Sequence, residues 1–378
     1  MPWQESNTVS ERLRFLADVA DGLYSMTELC EHYQISRKTG YKWLARGGEV
    51  QDRSCRPAHH PNAIAEPVVA RIRALRAEYG WGPRKLQTLL RRLGVTPLPA
   101  RSTIALILRR EGLSARRRRR ARAQAIRSAR TAMSGPNVVW TADFKGEFRT
   151  RDGAWCYPLT VMDGFSRYLL ACAVVPGPQT GVTQQVFTRV FREYGLPQVL
   201  RTDNGEPFAS PTTLGRLSRL SVWWIRLGIT VERIDPGCPA QNGRHERFHR
   251  TLDETRRDGP AADPVAQQRR FRHHRRIYNE VRPHEALNDQ TPASRYVPSP
   301  RVFPERLPAL DYSAAHVVRH VGPSGCFSWA QHQIHLSRVL DGQPIGLLPV
   351  ADGCWTIYFG AMRLGHFNER RKRVETCD

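Results

Sequence analysis

Lysine is scarce in this chain: five of its 58 basic residues are Lys and the rest are Arg. Acids are short too, 35 against those 58, so the formal charge is +23. A codon bias towards Arg explains Arg in place of Lys but not the net excess, which points to a polyanionic partner. Paired cysteine motifs are absent. The eight cysteines, Cys30, Cys55, Cys156, Cys172, Cys238, Cys326, Cys354 and Cys377, are scattered with no CxxC among them, as expected of reduced cytosolic thiols. Cys30, His32, Cys55 and His59 offer zinc-type donors, but their spacing is that of no recognised finger. No basic-then-apolar export signal opens the sequence. The longest uncharged stretch, Tyr168 to Thr188, is broken by Pro176-Gly177-Pro178 and rich in Gln and Thr, so no membrane partner is expected.

What is present is length and uneven charge. The 378 residues exceed one ordinary core and predict two to four domains. Residues 116 to 130 carry eight basic groups and no acid, including the run Arg116, Arg117, Arg118, Arg119 and Arg120, whereas 131 to 260 carry 16 and 13. Such a run repels itself when free, and its natural partner is phosphate backbone. Flanking modules therefore grip a polyanion while the centre does chemistry.

Along the N-terminal region, Leu13, Leu16, Val19 and Ala20 form a helical stripe, Ser25-Met26-Thr27-Glu28 is a capping box, and Ser36 caps a helix from Arg37 to Arg46 that Gly47-Gly48 ends. Two short helices about a tight turn, the second bearing Arg37, Lys38, Thr39 and Lys42, fit a helix-turn-helix over residues 1–55. A second unit of like plan is expected over 62–115. Its helices are lined by Val68, Ile72 and Leu75, then by Leu86, Leu89, Leu90 and Leu93, with Ser102 capping a third, and Arg84 and Lys85 are candidate phosphate contacts. A basic linker, 116–133, follows.

From Asn137 the period changes to two. Asp143 alternates with Trp140, Ala142 and Phe144 and so points to the opposite sheet face. Hairpin turns at Asp152-Gly153 and Asp163-Gly164 join three strands into a meander. A helix (183 to 194), a strand (199 to 202), a long helix (212 to 227) and a strand (229 to 234) then alternate. This pattern calls for a mixed five-stranded sheet with helices on its faces, over 134–300. A helix from Gln241 should bury Phe248 and Leu252, and a basic one begins at Pro264. Residues 312–370 read as short strands of a small β-barrel. The fold class is multidomain α+β.

Three acids stand out: Asp143 at a strand end, Asp203 at the mouth of Val199-Leu200, and Glu246 in the first turn of a helix after a Gly/Pro loop. Carboxylates converging from separate elements repel unless a hard divalent ion, Mg²⁺ or Mn²⁺, joins them. Two such ions would support in-line displacement at phosphorus by water or a 3′-hydroxyl. Glu206, Glu232, Asp235, Asp253 and Glu254 are competing acids that spacing alone does not remove. Asn204, Gln241, Asn242, Arg244 and His245 surround the trio as candidate DNA contacts.

The order Trp140-Thr141-Ala142-Asp143, Asp163-Gly164-Phe165-Ser166-Arg167, Thr202-Asp203-Asn204-Gly205, Gln241-Asn242-Gly243-Arg244-His245-Glu246-Arg247 and Tyr278 to Leu287 resembles insertion-sequence transposases with a retroviral-integrase-like DDE core. The similarity is to the IS481 group, related to IS3, and covers nearly the whole chain. It implies an RNase H-like fold, Asp143, Asp203 and Glu246 as catalytic metal ligands for two ions of Mg²⁺ or Mn²⁺, and a homo-oligomer acting on double-stranded terminal repeats and target DNA in the bacterial cytoplasm. The competing expectation is an inactive or domesticated helix-turn-helix regulator. One departure stands out: 42 residues separate Asp203 from Glu246, more than the family pattern usually has. The surplus is expected in Ser210 to Ser221.

Overall fold

The computed structural model describes residues 7–55, 63–114, 130–235, 243–253 and 259–376. They form two compact units, Met1–Ala65 and Glu66–Asp378.

The first unit has the three predicted helices, α1 (Thr8–Asp21), α2 (Met26–His32) and α3 (Arg37–Leu44). Both arms of the Ser25/Glu28 capping box are made, and Ser36 accepts the Thr39 N–H. Phe15, Leu29, Cys30 and Trp43 are its core. Cys30 is thus a packing residue, and at Gly40 a Cβ would stand 2.7 Å from its sulfur, so α2 and α3 meet in direct contact. His59 lies outside the described residues.

The second unit opens with α4 (Glu66–Tyr79), α5 (Pro83–Arg92) and α6 (Arg101–Arg110) around Ile72, Leu75, Leu86, Leu90, Ile104 and Leu108. Ser102 does not cap α6. The cap is Ala100, without a side-chain bond. These helices are bound to the sheet-bearing region: the Arg84 guanidinium meets Asp289 at 3.0 Å and Glu285 at 2.5 Å, and Arg92 donates to the carbonyls of Val281 and Asp289.

The central sheet comprises β1 (Val139–Phe144), β3 (Trp155–Asp163), β4 (Leu169–Val175), β5 (Val199–Thr202) and β6 (Thr230–Arg233), with a two-residue β2 (Phe148–Arg149) beside β3. The meander β1, β3 and β4 is antiparallel, whereas β1–β5 and β5–β6 are parallel, because each parallel step is crossed by a helix. These are α7 (Thr180–Tyr194) and α8 (Arg219–Arg226). One face packs Trp140, Ala142, Phe187, Phe191 and Trp224 into the largest core. On the other, α9 (Gly243–Leu252) and α10 (Pro264–Arg276) set Phe248, Leu252 and Phe271 against Met162, Leu169 and Cys172. The layering is helix, mixed sheet, helix.

The long helix predicted over 212 to 227 is split. Leu214–Arg216 is a single 3₁₀ turn, and Gly215 and Arg216 take φ of +61° and +52°, which no α-helix accommodates. Ser218 then caps α8 afresh. This stretch receives the C-terminal strands. Leu217, Val222 and Ile225 share one core with Phe327, Ile345, Ile357, Phe359 and Phe367, and Leu214, Met362 and Leu364 pack beside them. Seven C-terminal strands follow: β7 (Val317–His320), β8 (Cys326–Trp329), β9 (His332–His335), β10 (Pro344–Ala351), β11 (Cys354–Phe359), β12 (Met362–Asn368) and β13 (Arg373–Thr376). They form a five-stranded and a two-stranded sheet.

Because Ile225 is 8% exposed at that shared core, Ile225→Ala should cost about 2–4 kcal/mol in urea denaturation and open the C-terminal strands to protease. An unchanged urea midpoint would show that those strands fold without α8.

Candidate active site

The parallel register of β1 with β5 pairs Trp140 with Leu200 and Thr141 with Arg201. Carried two residues past the last paired position, it sets Asp143 level with Asp203 at the carboxyl ends of neighbouring strands. The Asp143 side chain is 22% exposed. Burial first, and then the charge of Asp203, push its carboxyl up to about 7, against weaker opposing effects of the Phe144 amide and Lys145. Burial also raises Asp203, which the Gly205 N–H partly offsets. Gly205 permits this approach, since a Cβ there would lie 3.1 Å from Asp203 Oδ2. Asp203 Oδ1 is buried and accepts no hydrogen bond among the described residues.

Helix α9 lies over the same strand ends. Its buried face is His245, Phe248, His249 and Leu252, spaced three and four residues apart. The His245 ring is fully buried, with Nδ1 2.9 Å from Thr141 Oγ1 and Nε2 2.6 Å from Thr160 Oγ1. His249 Nε2 is 2.9 Å from the same Thr160 oxygen, and its Nδ1 is 3.9 Å from Asp143 Oδ2. Burial lowers both imidazoles, His249 to about 4. Glu246 stands in the first turn of α9 with its side chain 66% exposed and Arg250 at 3.8 Å. The structure thus brings Asp143 and Asp203 together and leaves Glu246 outside their immediate shell. Among the described residues no three of His, Cys, Asp and Glu are gathered closely enough to hold an ion.

The other predicted contacts divide. Arg37, Lys38 and Lys42 are exposed on α3, whereas Thr39 is half-buried and bonded to Ser36. His245 does not face DNA, because its ring is enclosed between two strands. Nor is Arg84 a free phosphate contact, since two carboxylates hold its guanidinium. Lys85, beside it, is half-buried near the Trp81 ring. Arg244 donates to the Gly164 carbonyl at 2.7 Å, and Asn204 turns its amide onto the Ile234 carbonyl at 2.6 Å. Arg116 to Arg120, Gln241 and Asn242 lie outside the described residues.

The Asp163 motif is structural. Asp163 is fully buried, with its two oxygens accepting from the Asn137 and Ser166 backbone N–H groups, each at 2.8 Å, and from the Ser166 hydroxyl. Sequence reading missed Thr160 and His249. The recurrence of His at i and i+4 around the acid was the available signal.

Residues 133–239 match an integrase core domain model, and a second model of that description matches 227–292. An uncharacterised 31.7 kDa protein of insertion element IS407 from Burkholderia multivorans is 28% identical over 270 residues, covering 71% of this chain and 93% of that protein. A 39.2 kDa protein of insertion element IS476 from Xanthomonas euvesicatoria is 29% identical over 247 residues, covering 63% and 67%. The chain is an insertion-sequence transposase with an integrase core. The HTLV-2 integrase catalytic core in complex with magnesium aligns over 43% of the transposase and 99% of that chain, with 14% identity and a TM-score of 0.34.

The transposase acts in DNA transposition or integration as a DDE-type polynucleotidyl transferase. Its aspartate pair suits a divalent cation: two hard oxygen donors side by side, one oxygen unsatisfied, and a carboxyl forced towards protonation by burial and then by its neighbour's charge.

The titration has a direct consequence for stability. Asp143 holds its proton to about pH 7 when folded, whereas the unfolded chain releases it near 3.8. Between those values the folded state binds more protons, so this group's contribution to stability falls as pH rises. In EDTA at pH 8, Asp143→Asn should therefore melt above the parent, by about 2–4 °C for each kcal/mol relieved, and the gap should close towards pH 4. A variant melting at or below the parent at pH 8 would exclude a cost, from burial and the Asp203 charge together, of holding this carboxylate ionised.

Proposed function

We propose that Asp143, Asp203 and Glu246 form the catalytic centre of this transposase, holding Mg²⁺ or Mn²⁺, with two ions as the expected number. The observation that carries this reading is the Asp143–Asp203 pair with its orphaned, buried Asp203 oxygen. Bound divalent ions supply charge neutralisation and activation of an attacking oxygen at phosphorus. Asp143 and Asp203 provide fixed carboxylates at adjoining strand ends, and the Gly205 amide orients the second of them. Glu246, on an exposed first turn, completes the set by turning its carboxylate onto the pair. The reaction is nicking at the element's terminal repeats followed by attack of the freed 3′-hydroxyl on target phosphodiester. A regulator that only binds DNA has no use for two aspartates held in mutual repulsion, which argues for turnover.

The helices α1 to α3 are assigned to DNA reading, with Arg37, Lys38 and Lys42 facing the duplex as a helix-turn-helix would. Residues 116–133 are assigned to backbone contact, and a homo-oligomer is expected to hold two ends and a target together.

With Asp203→Asn, end binding in a gel shift should persist while Mg²⁺-dependent nicking of an end duplex falls to background; nicking by a clean preparation of the variant would remove Asp203 from the chemistry. Deleting residues 1–65, the whole first unit, should abolish preference for the terminal repeats and leave a general binding that weakens steeply with salt. Unchanged preference would reassign DNA reading to the second unit.

A further inference from the structure

Two histidines and two threonines join α9 to the strand that bears Asp143, outside the acidic set. Thr160 lies opposite Asp143 in the antiparallel register of β1 with β3. Its hydroxyl oxygen has three polar neighbours: the Asp143 carbonyl at 2.9 Å, His245 Nε2 at 2.6 Å and His249 Nε2 at 2.9 Å. A carbonyl only accepts, so the single Thr160 hydrogen goes to Asp143 O, and both imidazoles donate from Nε2 into the two lone pairs of the hydroxyl. His245 Nδ1 is then an acceptor and takes the Thr141 O–H at 2.9 Å. With neutral rings this assignment satisfies all four bonds, and the Met162 carbonyl, 3.4 Å from Thr141 Oγ1, is the weaker competitor for that hydrogen and goes without it. It leaves His249 Nδ1 unprotonated, 3.9 Å from Asp143 Oδ2.

We propose that His245 and His249, held by Thr160 and Thr141, are positioning residues that lock the first turns of α9, and with them Glu246, against the Asp143 strand. The proposal rests on the assignment of Glu246 to the catalytic set. Glu246 follows His245 directly, and it precedes His249 by three residues, which makes the two neighbours on the helix surface, about 5–6 Å apart at Cβ. His249 Nδ1 in turn lies 3.9 Å from Asp143 Oδ2. An exposed carboxylate on an unanchored helix end would have to be ordered anew in each cycle. Here its backbone is pinned from the adjacent residue while the side chain stays free to swing. The Thr160 hydroxyl is the one atom that bonds to both rings and to the Asp143 backbone, so it is the place to cut the lock.

The test uses the full-length protein and three variants, Thr160→Val, Thr160→Ser and Glu246→Gln. In the metal-free parent labelled at histidine, the ring ¹⁵N shifts of His245 and His249 should both report hydrogen on Nε2. Thr160→Val should shift those resonances, speed amide exchange over 243–249, and raise the Mg²⁺ concentration for half-maximal nicking about tenfold, a typical cost of removing a group that orients a metal ligand. End binding should not change, and Thr160→Ser, which keeps the hydroxyl, should restore parental values. Parental exchange and Mg²⁺ dependence in Thr160→Val, or an Nδ1–H form of either ring in the parent, would overturn the lock. If Thr160→Val does not fold, the parental ring tautomers still decide. Glu246→Gln separates the two ideas. Background nicking by Glu246→Gln beside a parental Thr160→Val defeats the lock alone, whereas active Glu246→Gln defeats the assignment of Glu246 and the lock with it.

Discussion

The centre of the second unit turns on one pair of like-charged groups. Parallel pairing of β1 with β5 brings two carboxylates to adjoining strand ends, where burial denies them the water that would screen their repulsion. A folded protein keeps such a pair only if the surrounding packing overdetermines it. Trp140 and Ala142 on the opposite face of β1, with Phe187, Phe191 and Trp224 beneath them, supply that packing. Large apolar residues on one side of a six-residue strand thus hold in place an unfavourable arrangement on the other. Strain of this kind at a strand end is what a polynucleotidyl transferase needs, since the site is then poised to take up positive charge.

The second level of organisation is hydrogen bonding by neutral histidine. His245 and His249 are buried where a charged ring would be costly, and each sets a ring nitrogen against a threonine hydroxyl at hydrogen-bond distance. The same economy governs Asp163, a buried carboxylate whose bonds to the Asn137 and Ser166 amides stabilise the turn into β4. Of the acids in the core, the ones satisfied by backbone and hydroxyl groups are architectural. Among the described residues, the one with an oxygen left over is Asp203.

Much of this was legible beforehand because it depends on local pattern. The Ser25–Glu28 capping box, the alternation that turned Asp143 away from Trp140, and the i, i+4 pair Phe248 and Leu252 are all properties of neighbouring residues. What escaped was set by distant contacts. His245 read as a cation facing DNA because its neighbours are Arg244 and Arg247, and nothing local tells that Thr141 and Thr160, over 80 positions away, enclose it. Arg84 read as a phosphate ligand because its acidic partners lie some 200 residues on. The long helix over 212 to 227 failed for a mixed reason. Gly215 was a visible breaker, but its left-handed turn is held by Met362 and Leu364, against which a Cβ at Gly215 would lie 3.2 and 3.3 Å away.

That last contact bears on how this chain could be recombined with its relatives. The stretch after Asp203 in which the surplus between the acids is expected is half of a joint whose other half is the C-terminal sheet, and Leu217, Val222 and Ile225 are as much a part of that sheet's interior as Ile357 or Phe359. Grafting the C-terminal strands onto another integrase core would leave an apolar face bare, and receiving foreign strands here would do the same. The inheritable module is discontinuous: residues 210 to 227 travel with 310 to 376, or neither travels.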